Sequence, residues 1–363
     1  MFELETENGF QNLLKELTEV AGPSGYEGPV REVMRKHISP WADHVTTDKL
    51  GSLIAQRGSS GPKVMIAGHL DEVGFLVTKI TKEGFIKFQP LGGWWSQVLP
   101  AQRVRIVTRK EEFIGIIGSK PPHLMKIDER KKGVTLEDLF IDVGAESQEE
   151  VQQMGISPGD PIVPDSDFIT MSNANRWMGK AMDNRLGCAV VVEVFKRLAQ
   201  RKGLANQLFG VGTVMEEVGL RGARTSTATI QPDVAFAIDV GISGDTPGIG
   251  ELPADVRLGK GPALTLYDAG HIAHGALADL AKDVAEREEI PIQFEFIRGG
   301  ATDASAIHMY NQGVPTISLC IPARYIHSHA TIVDQRDVMH LVDWLVAMIE
   351  RLDQQMIDSL HRG

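Results

Sequence analysis

Asp183, Asn184 and Arg185 place an acid, an amide and a guanidinium in a row. They sit in the string GKAMDNRLG, between the polar turn Ser172, Asn173, Ala174, Asn175 and an apolar run from Leu186 to Leu198. Three such groups at the mouth of a buried helix are costly unless something binds there. A helix dipole favours an anion at this end, but it seldom needs three polar groups. Asp183 is therefore read as a carboxylate bridging two metal ions, on which the other reactive segments converge.

Those segments each follow an apolar run: HLDEVG after KVMIAG, EEVG after GVGTVM, DVG after VAFAI, and HSH after SLCIPARYI. His69 and Asp71 are two apart, so on extended backbone both leave the same face. That suits a histidine ligand whose second ring nitrogen is held by a carboxylate, and it equally suits a surface His–Asp pair. Glu216 and Glu217 are adjacent and point opposite ways if extended, so one could hold metal while the other reaches an activated water. Two neighbouring glutamates also make an ordinary solvated turn. Asp239 ends an apolar run, where an unpaired buried acid is costly and a metal or a helix cap would resolve it. His327 and His329 lie in an irregular stretch where a lone histidine is often structural. In an open α/β sheet, ligands bind in the crevice beyond the carboxyl ends of the strands. The joint placement of these residues at successive strand ends therefore points to a metal site.

The elements that must position them are legible in outline. Phe10, Leu13, Leu14, Leu17 and Val20 recur at helical spacing up to Gly22–Pro23, and a second helix starts near Pro29. HVTTD, SLIAQR and KVMIAGHL read as strands. From about residue 73 to 165 short alternating runs separated by hairpin signals (FLVTKI, FIKFQP, RVRIVT, FIGIIG) predict a small inserted β-barrel, with Trp94 and Trp95 in a loop that is either interface or core. After residue 166 the α/β texture resumes, with strands in QLFGVGTVM, DVAFAIDV and VPTISLCI and helices over 184–202, 271–289 and 336–358. With 363 residues, two domains are expected: a discontinuous α/β domain (1–72 and 166–363) and the insert (73–165). The formal net charge of −11 argues against a nucleic acid or an anionic membrane as partner. Cys188 and Cys320 read as small buried hydrophobes. The acidic N-terminus lacks signal-peptide character, and no run approaches about 18 apolar residues, so a cytoplasmic location is expected.

Taken together, GHLDEVGF, GKAMDNRLGC, GTVMEEVGLRGA, AIDVGISGDTPG, RGGATDASAIH and IPARYIHSHATIVD, in order from residue 68 to 334, resemble the co-catalytic metallo-aminopeptidases of the TET or FrvX type, some of which carry cellulase or endoglucanase labels. Met215 departs mildly from the pattern, where a polar residue is common. The resemblance implies a three-layer α/β/α metallopeptidase domain with a PDZ-like or β-barrel insert used in self-association. It implies two divalent metals per subunit, zinc or cobalt with manganese also suited. One would be held by His69, Asp183 and Asp239, the other by Asp183, Glu217 and His327. Asp71 would orient His69, and Glu216 would be the general base. Arg298, Gly300, Thr302 and Asp303 would line the substrate pocket, although RGGATDA could be a plain glycine loop. Short peptides are the implied substrates, and dimers assembling into dodecamers the implied state.

Other readings have their own chemistry. A deacylase or carboxypeptidase could use the same two-metal scaffold. A non-catalytic metal-assembled scaffold would not need Glu216 beside Glu217. A glycoside hydrolase generally uses two metal-free carboxylates flanking the bond, whereas the acids here are better explained as ligands plus one base.

Overall fold

The computed structural model describes residues 2–201, 203–249 and 255–360; the end of the helix expected over 184–202 and the last residues of the α/β domain lie outside them. The strands of the large sheet are β1 (His44–Thr47), β2 (Leu53–Arg57) and β3 (Lys63–His69). The barrel follows with β4 (Gly74–Ile80), β5 (Ile86–Leu91), β6 (Arg103–Val107), β7 (Glu112–Gly118), β8 (Phe140–Asp142) and β9 (Pro161–Pro164). The sheet then resumes with β10 (Ile169–Thr170), β11 (Arg176–Gly179), β12 (Gln207–Thr213), β13 (Val234–Ile242), β14 (Ala263–Tyr267), β15 (Gln293–Phe296), β16 (Thr316–Arg324) and β17 (Thr331–Asp334). Its order is β1-β2-β12-β3-β13-β16-β17-β11-β10, with β14 and β15 branching off β16, while β4-β5-β8-β7-β6-β9 close a six-stranded barrel. The fold is thus mixed α/β with a barrel sub-domain.

At the centre, β12, β3, β13 and β16 are mutually parallel neighbours. Their sequences are continuous apolar runs because both faces are covered. Val64, Ile66 and Phe236 face one side, with Leu186, Val190 and Leu345; Met65, Ala67 and Ala235 face the other, with Ala223, Ile230 and Ile307. The first layer holds α1 (Phe2–Glu19), α2 (Gly28–Ile38), α5 (Met182–Ala199), α7 (Gly275–Arg287) and α9 (Gln335–Ile349), while α3 (Ile127–Lys132) and α4 (Gln148–Gln153) lie between strands of the barrel. The second holds α6 (Arg221–Ile230) and the short α8 (Ala304–Ile307). The barrel has a separate core around Phe75, Val104, Ile106 and Ile141.

The helix expected over 336–358 is two helices. α9 stops at Ile349, and a second helix spans Gln354–Leu360. Buried Leu352 lies in the bend, and the Asp353 carboxylate accepts from Met356 N at 2.8 Å to start the new helix. The paired tryptophans split between the two readings offered for them. Trp94 packs on Phe75 with centroids 4.8 Å apart and donates to Gly74 O, while Trp95 is 68 % exposed. Both cysteines are buried and unpaired. Among the described residues, no helix is long and apolar enough to cross a membrane.

Candidate metal centre

Two features of the sheet open the site. β3 and β13 pair only from Val64↔Val234 to Ala67↔Ala237, so their ladder ends two residues short of His69 and Asp239, which stand at the same level of the split. Behind the split, β3 meets the first turn of α5 with no room for a side chain: a Cβ on Gly68 would lie 2.7 Å from Gly187 C. This close approach carries Asp183 to the crevice. Asp183 and Asn184 have non-helical dihedrals, and the peptide between them is cis.

Asp183 spans two imidazoles. Its Oδ1 is 3.0 Å from His69 Nε2 and its Oδ2 is 3.3 Å from His327 Nε2. Glu217 Oε2 is 3.4 Å from the same His327 nitrogen. Glu216 Oε2 and Asp239 Oδ1 each lie 3.9 Å from His69 Nε2. Ligand-type atoms of His69, Asp183 and Glu217 fall within 4.8 Å of one another, as do those of His69, Glu216 and Asp239. The structure therefore brings His69, Asp183, Glu216, Glu217, Asp239 and His327 together. His329 turns away: it is buried against Trp94, and burial pushes it down to about 4.

The outer hydrogen bonds fix the two histidines. His327 Nδ1 donates to Gly93 O at 2.7 Å, and His69 Nδ1 to Asp71 O at 3.0 Å. Each Nε2 thus turns a lone pair toward carboxylate oxygens. Two acceptors can face each other only with a proton or a cation between them. Glu217 Oε1 is buried and accepts from no donor, which suits an oxygen that faces a cation. The donor set of imidazole and carboxylate suits zinc and similar divalent ions.

The Asp71 carboxylate stands 3.5 Å from the His69 ring. It also accepts from Ser24 Oγ at 2.6 Å, Glu216 N at 3.0 Å and Glu217 N at 3.2 Å. This residue positions the glutamate pair. Behind the turn, Glu27 accepts from Met215 N at 2.9 Å.

The electrostatics follow from crowding. Burial, with Asp183 and other carboxylates nearby, pushes Glu217 up to about 8 and raises Glu216 and Asp239 well above the usual range. Burial opposes charge on Asp183 too, but His327 and His69 hold it low. Burial would lower His69 and His327; the carboxylates outweigh it, and His327 rises to about 9. This many acids gathered around two imidazoles, with ligand-type atoms within 4.8 Å of one another in each group, fit a cationic occupant.

Asn184 and the two terminal nitrogens of Arg185 find their partners inside the protein. Asn184 Nδ2 donates to Ile238 O at 2.7 Å. Arg185 donates to Leu17 O, Val20 O and Gly22 O and pairs with Glu72, which also pairs with Lys180 at 2.7 Å. Of the expected pocket residues, Gly300 and Thr302 line the cavity of about 510 Å³ in front of the site. Arg298 is exposed and does not line it. Asp303 sits behind the wall, buried, accepting from Thr213 Oγ1 at 2.5 Å. Sequence reasoning missed Gly93 and Asp268. The second had a usable signal, for ALTLYD repeats the apolar-strand-then-acid pattern of VAFAID.

A crevice at the carboxyl ends of parallel strands, walled by histidines and carboxylates, is suited to hold divalent ions and a substrate beside them. The M42 glutamyl aminopeptidase family model matches residues 51–344. The Escherichia coli putative aminopeptidase FrvX is 37% identical, over 96% of this chain and 97% of its own. The TET aminopeptidase of the marine-sediment archaeon Thaumarchaeota archaeon SCGC AB-539-E09 superposes with a TM-score of 0.96 at 43% identity, covering 98% of this chain and 99% of that one. The Pyrococcus horikoshii TET1 peptidase, described as assembling into a tetrahedron or a large octahedral shell, has a TM-score of 0.85 at 34% identity, over 94% of this chain and 100% of its own. The chain belongs to the M42 aminopeptidase family. It is a metal-dependent aminopeptidase.

Proposed function

We propose that the chain releases N-terminal residues from short peptides with two divalent ions. One would be held by His69, Asp183 and Asp239, the other by Asp183, Glu217 and His327. The observation that carries this is Asp183, whose two oxygens address two separate histidines. When bound, such a pair supplies Lewis acidity toward the scissile carbonyl and toward the attacking water. Glu216 takes the proton of that water and returns it to the departing amine nitrogen. Burial among Asp239, Asp303 and Glu217 makes its carboxyl a willing proton holder. Glu217 is the better ligand of the two, since it meets His327 and has a buried oxygen without a partner. Asp71 holds both glutamates through their backbone N–H groups and so fixes their division of labour.

Zinc or cobalt are the ions we expect, in a cytoplasmic homo-oligomer whose barrel, residues 73–165, serves self-association; a relative's structure described as a dodecamer supports that state. The test is a panel of aminoacyl fluorogenic substrates and their N-acetylated counterparts, with each metal added to stripped protein. Turnover should require both metal and a free amine. Equal turnover of acetylated substrates would instead make the chain a deacylase or another amide hydrolase.

A further inference from the structure

The cavity in front of the metal centre is lined by five carboxylates, those of Asp183, Glu216, Glu217, Asp239 and Asp268, and among the described residues no lysine or arginine lines it. Two divalent ions would offset four of these charges. Asp268 is the fifth, and it belongs to neither ligand set. It follows β14 and is 2 % exposed. Its Oδ1 accepts from Gly270 N at 2.7 Å and, more distantly, from Ser305 Oγ at 3.4 Å. Its Oδ2 is buried and accepts from nothing. A buried carboxylate oxygen without a donor is a cost that folding alone does not explain. Across a shared strip of backbone, Ala269 N donates to Gly300 O at 3.1 Å, so Asp268 and the glycine stretch Gly299–Gly300 form one wall of the cavity.

We propose that Asp268 Oδ2 is the anionic partner of a substrate ammonium group, either the free α-amine of the peptide or the side-chain amine of a basic first residue. The inference rests on the aminopeptidase reading and deepens it. The wall of the cavity would then select cationic or neutral N-terminal residues over acidic ones, because an acidic side chain finds no lysine or arginine there and would face the Asp268 carboxylate and apolar surface from Ile242, Ile297 and Ile326.

Three probes, two amines and one uncharged control, separate the sources. Leucinol carries only an α-ammonium, N-acetyl-lysinol only a side-chain ammonium, and N-acetyl-leucinol neither. Calorimetric binding to metal-loaded protein is compared between wild type and Asp268→Asn, which keeps the acceptor for Gly270 N. Asp268→Asn should weaken at least one charged probe by roughly tenfold or more and leave N-acetyl-leucinol unchanged, because a buried charge loses its partner. Loss for leucinol assigns the α-amine, and loss for N-acetyl-lysinol the side chain. Unchanged binding of both charged probes overturns the proposal. Should Asp268→Asn unfold, Asp268→Ser, which retains a hydroxyl for the turn, takes its place with the same outcomes. Hydrolysis of unblocked leucyl and lysyl substrates by the wild type is measured in parallel. Its absence, with the binding difference intact, would remove the peptidase reading and leave the ammonium site standing.

Discussion

Glu216 and Glu217 differ by one position and by everything that surrounds them. Both are buried, both hang from Asp71 through their N–H groups, and only Glu217 reaches His327. The Glu216→Gln exchange keeps shape and removes the proton acceptor. The metals should stay bound at wild-type stoichiometry, and turnover should fall ~10²-fold or more, the usual share of a general base. Metal content and kcat are measured on one preparation; loss of an ion with turnover would make Glu216 a ligand beside Asp239, an arrangement that their shared approach to His69 Nε2 allows. At this scale much was legible from residue types, because His69, Asp183, Asp239 and His327 each break an apolar run. Arg185 shows the limit. A guanidinium beside a proposed metal-binding acid looks like part of the site, yet its partners are Glu72 and carbonyls some 165 residues earlier in the chain, Leu17, Val20 and Gly22, which no local reading can supply.

At the scale of elements, the barrel and the α/β domain meet at the metal centre itself. The stretch after β5 brings Gly93 O to His327 Nδ1, and Gly92 to Glu217. Gly92 has φ +80, and a Cβ there would lie 2.7 Å from Val73 Cγ1 and 3.1 Å from Glu217 Oε2. Gly92→Ala should therefore cost ~1 kcal/mol in backbone strain and, by displacing Glu217, weaken metal affinity ~10-fold or more. Competition against a calibrated chelator reads the second effect; affinity equal to wild type would show that the turn yields without moving the ligand. Strands were easier to foresee than helices of unusual composition. α6 (RGARTSTATI) carries four Ser or Thr residues, a pattern of low helix propensity. It holds because Gly222, Ala223, Ser226 and Ile230 pack against the sheet, while Ser226 Oγ returns to Gly222 O at 2.8 Å and Thr229 Oγ1 to Thr225 O at 2.8 Å. Tertiary burial decided that element, and burial is not visible in a ten-residue window.

For the molecule as a whole, one buried histidine that belongs to neither proposed ligand set gives a testable dependence of stability on pH. His271 is 4 % exposed, and its Nε2 donates to Thr316 O at 3.1 Å. Burial, and then the His308 ring 4.9 Å away, push it down to about 4, with Asp268 opposing in part. In the unfolded chain the same ring titrates near ~6.5. Between those values the unfolded state binds a proton that the native state refuses, so the contribution of His271 is present above about pH 6.5 and is lost as pH falls toward 4. The slope for one proton is up to ~1.4 kcal/mol per pH unit. The carboxylates and histidines of the metal centre also titrate in this range, which is why the comparison is with His271→Gln, where their contribution cancels. Urea midpoints of both proteins, metal-loaded, between about pH 7 and about pH 4.5 should converge as pH falls, the wild type losing more stability than the variant. Parallel curves would mean that native His271 takes up its proton like a solvent-exposed imidazole, and that the wall it shares with Asp268 is wetter than its packing implies.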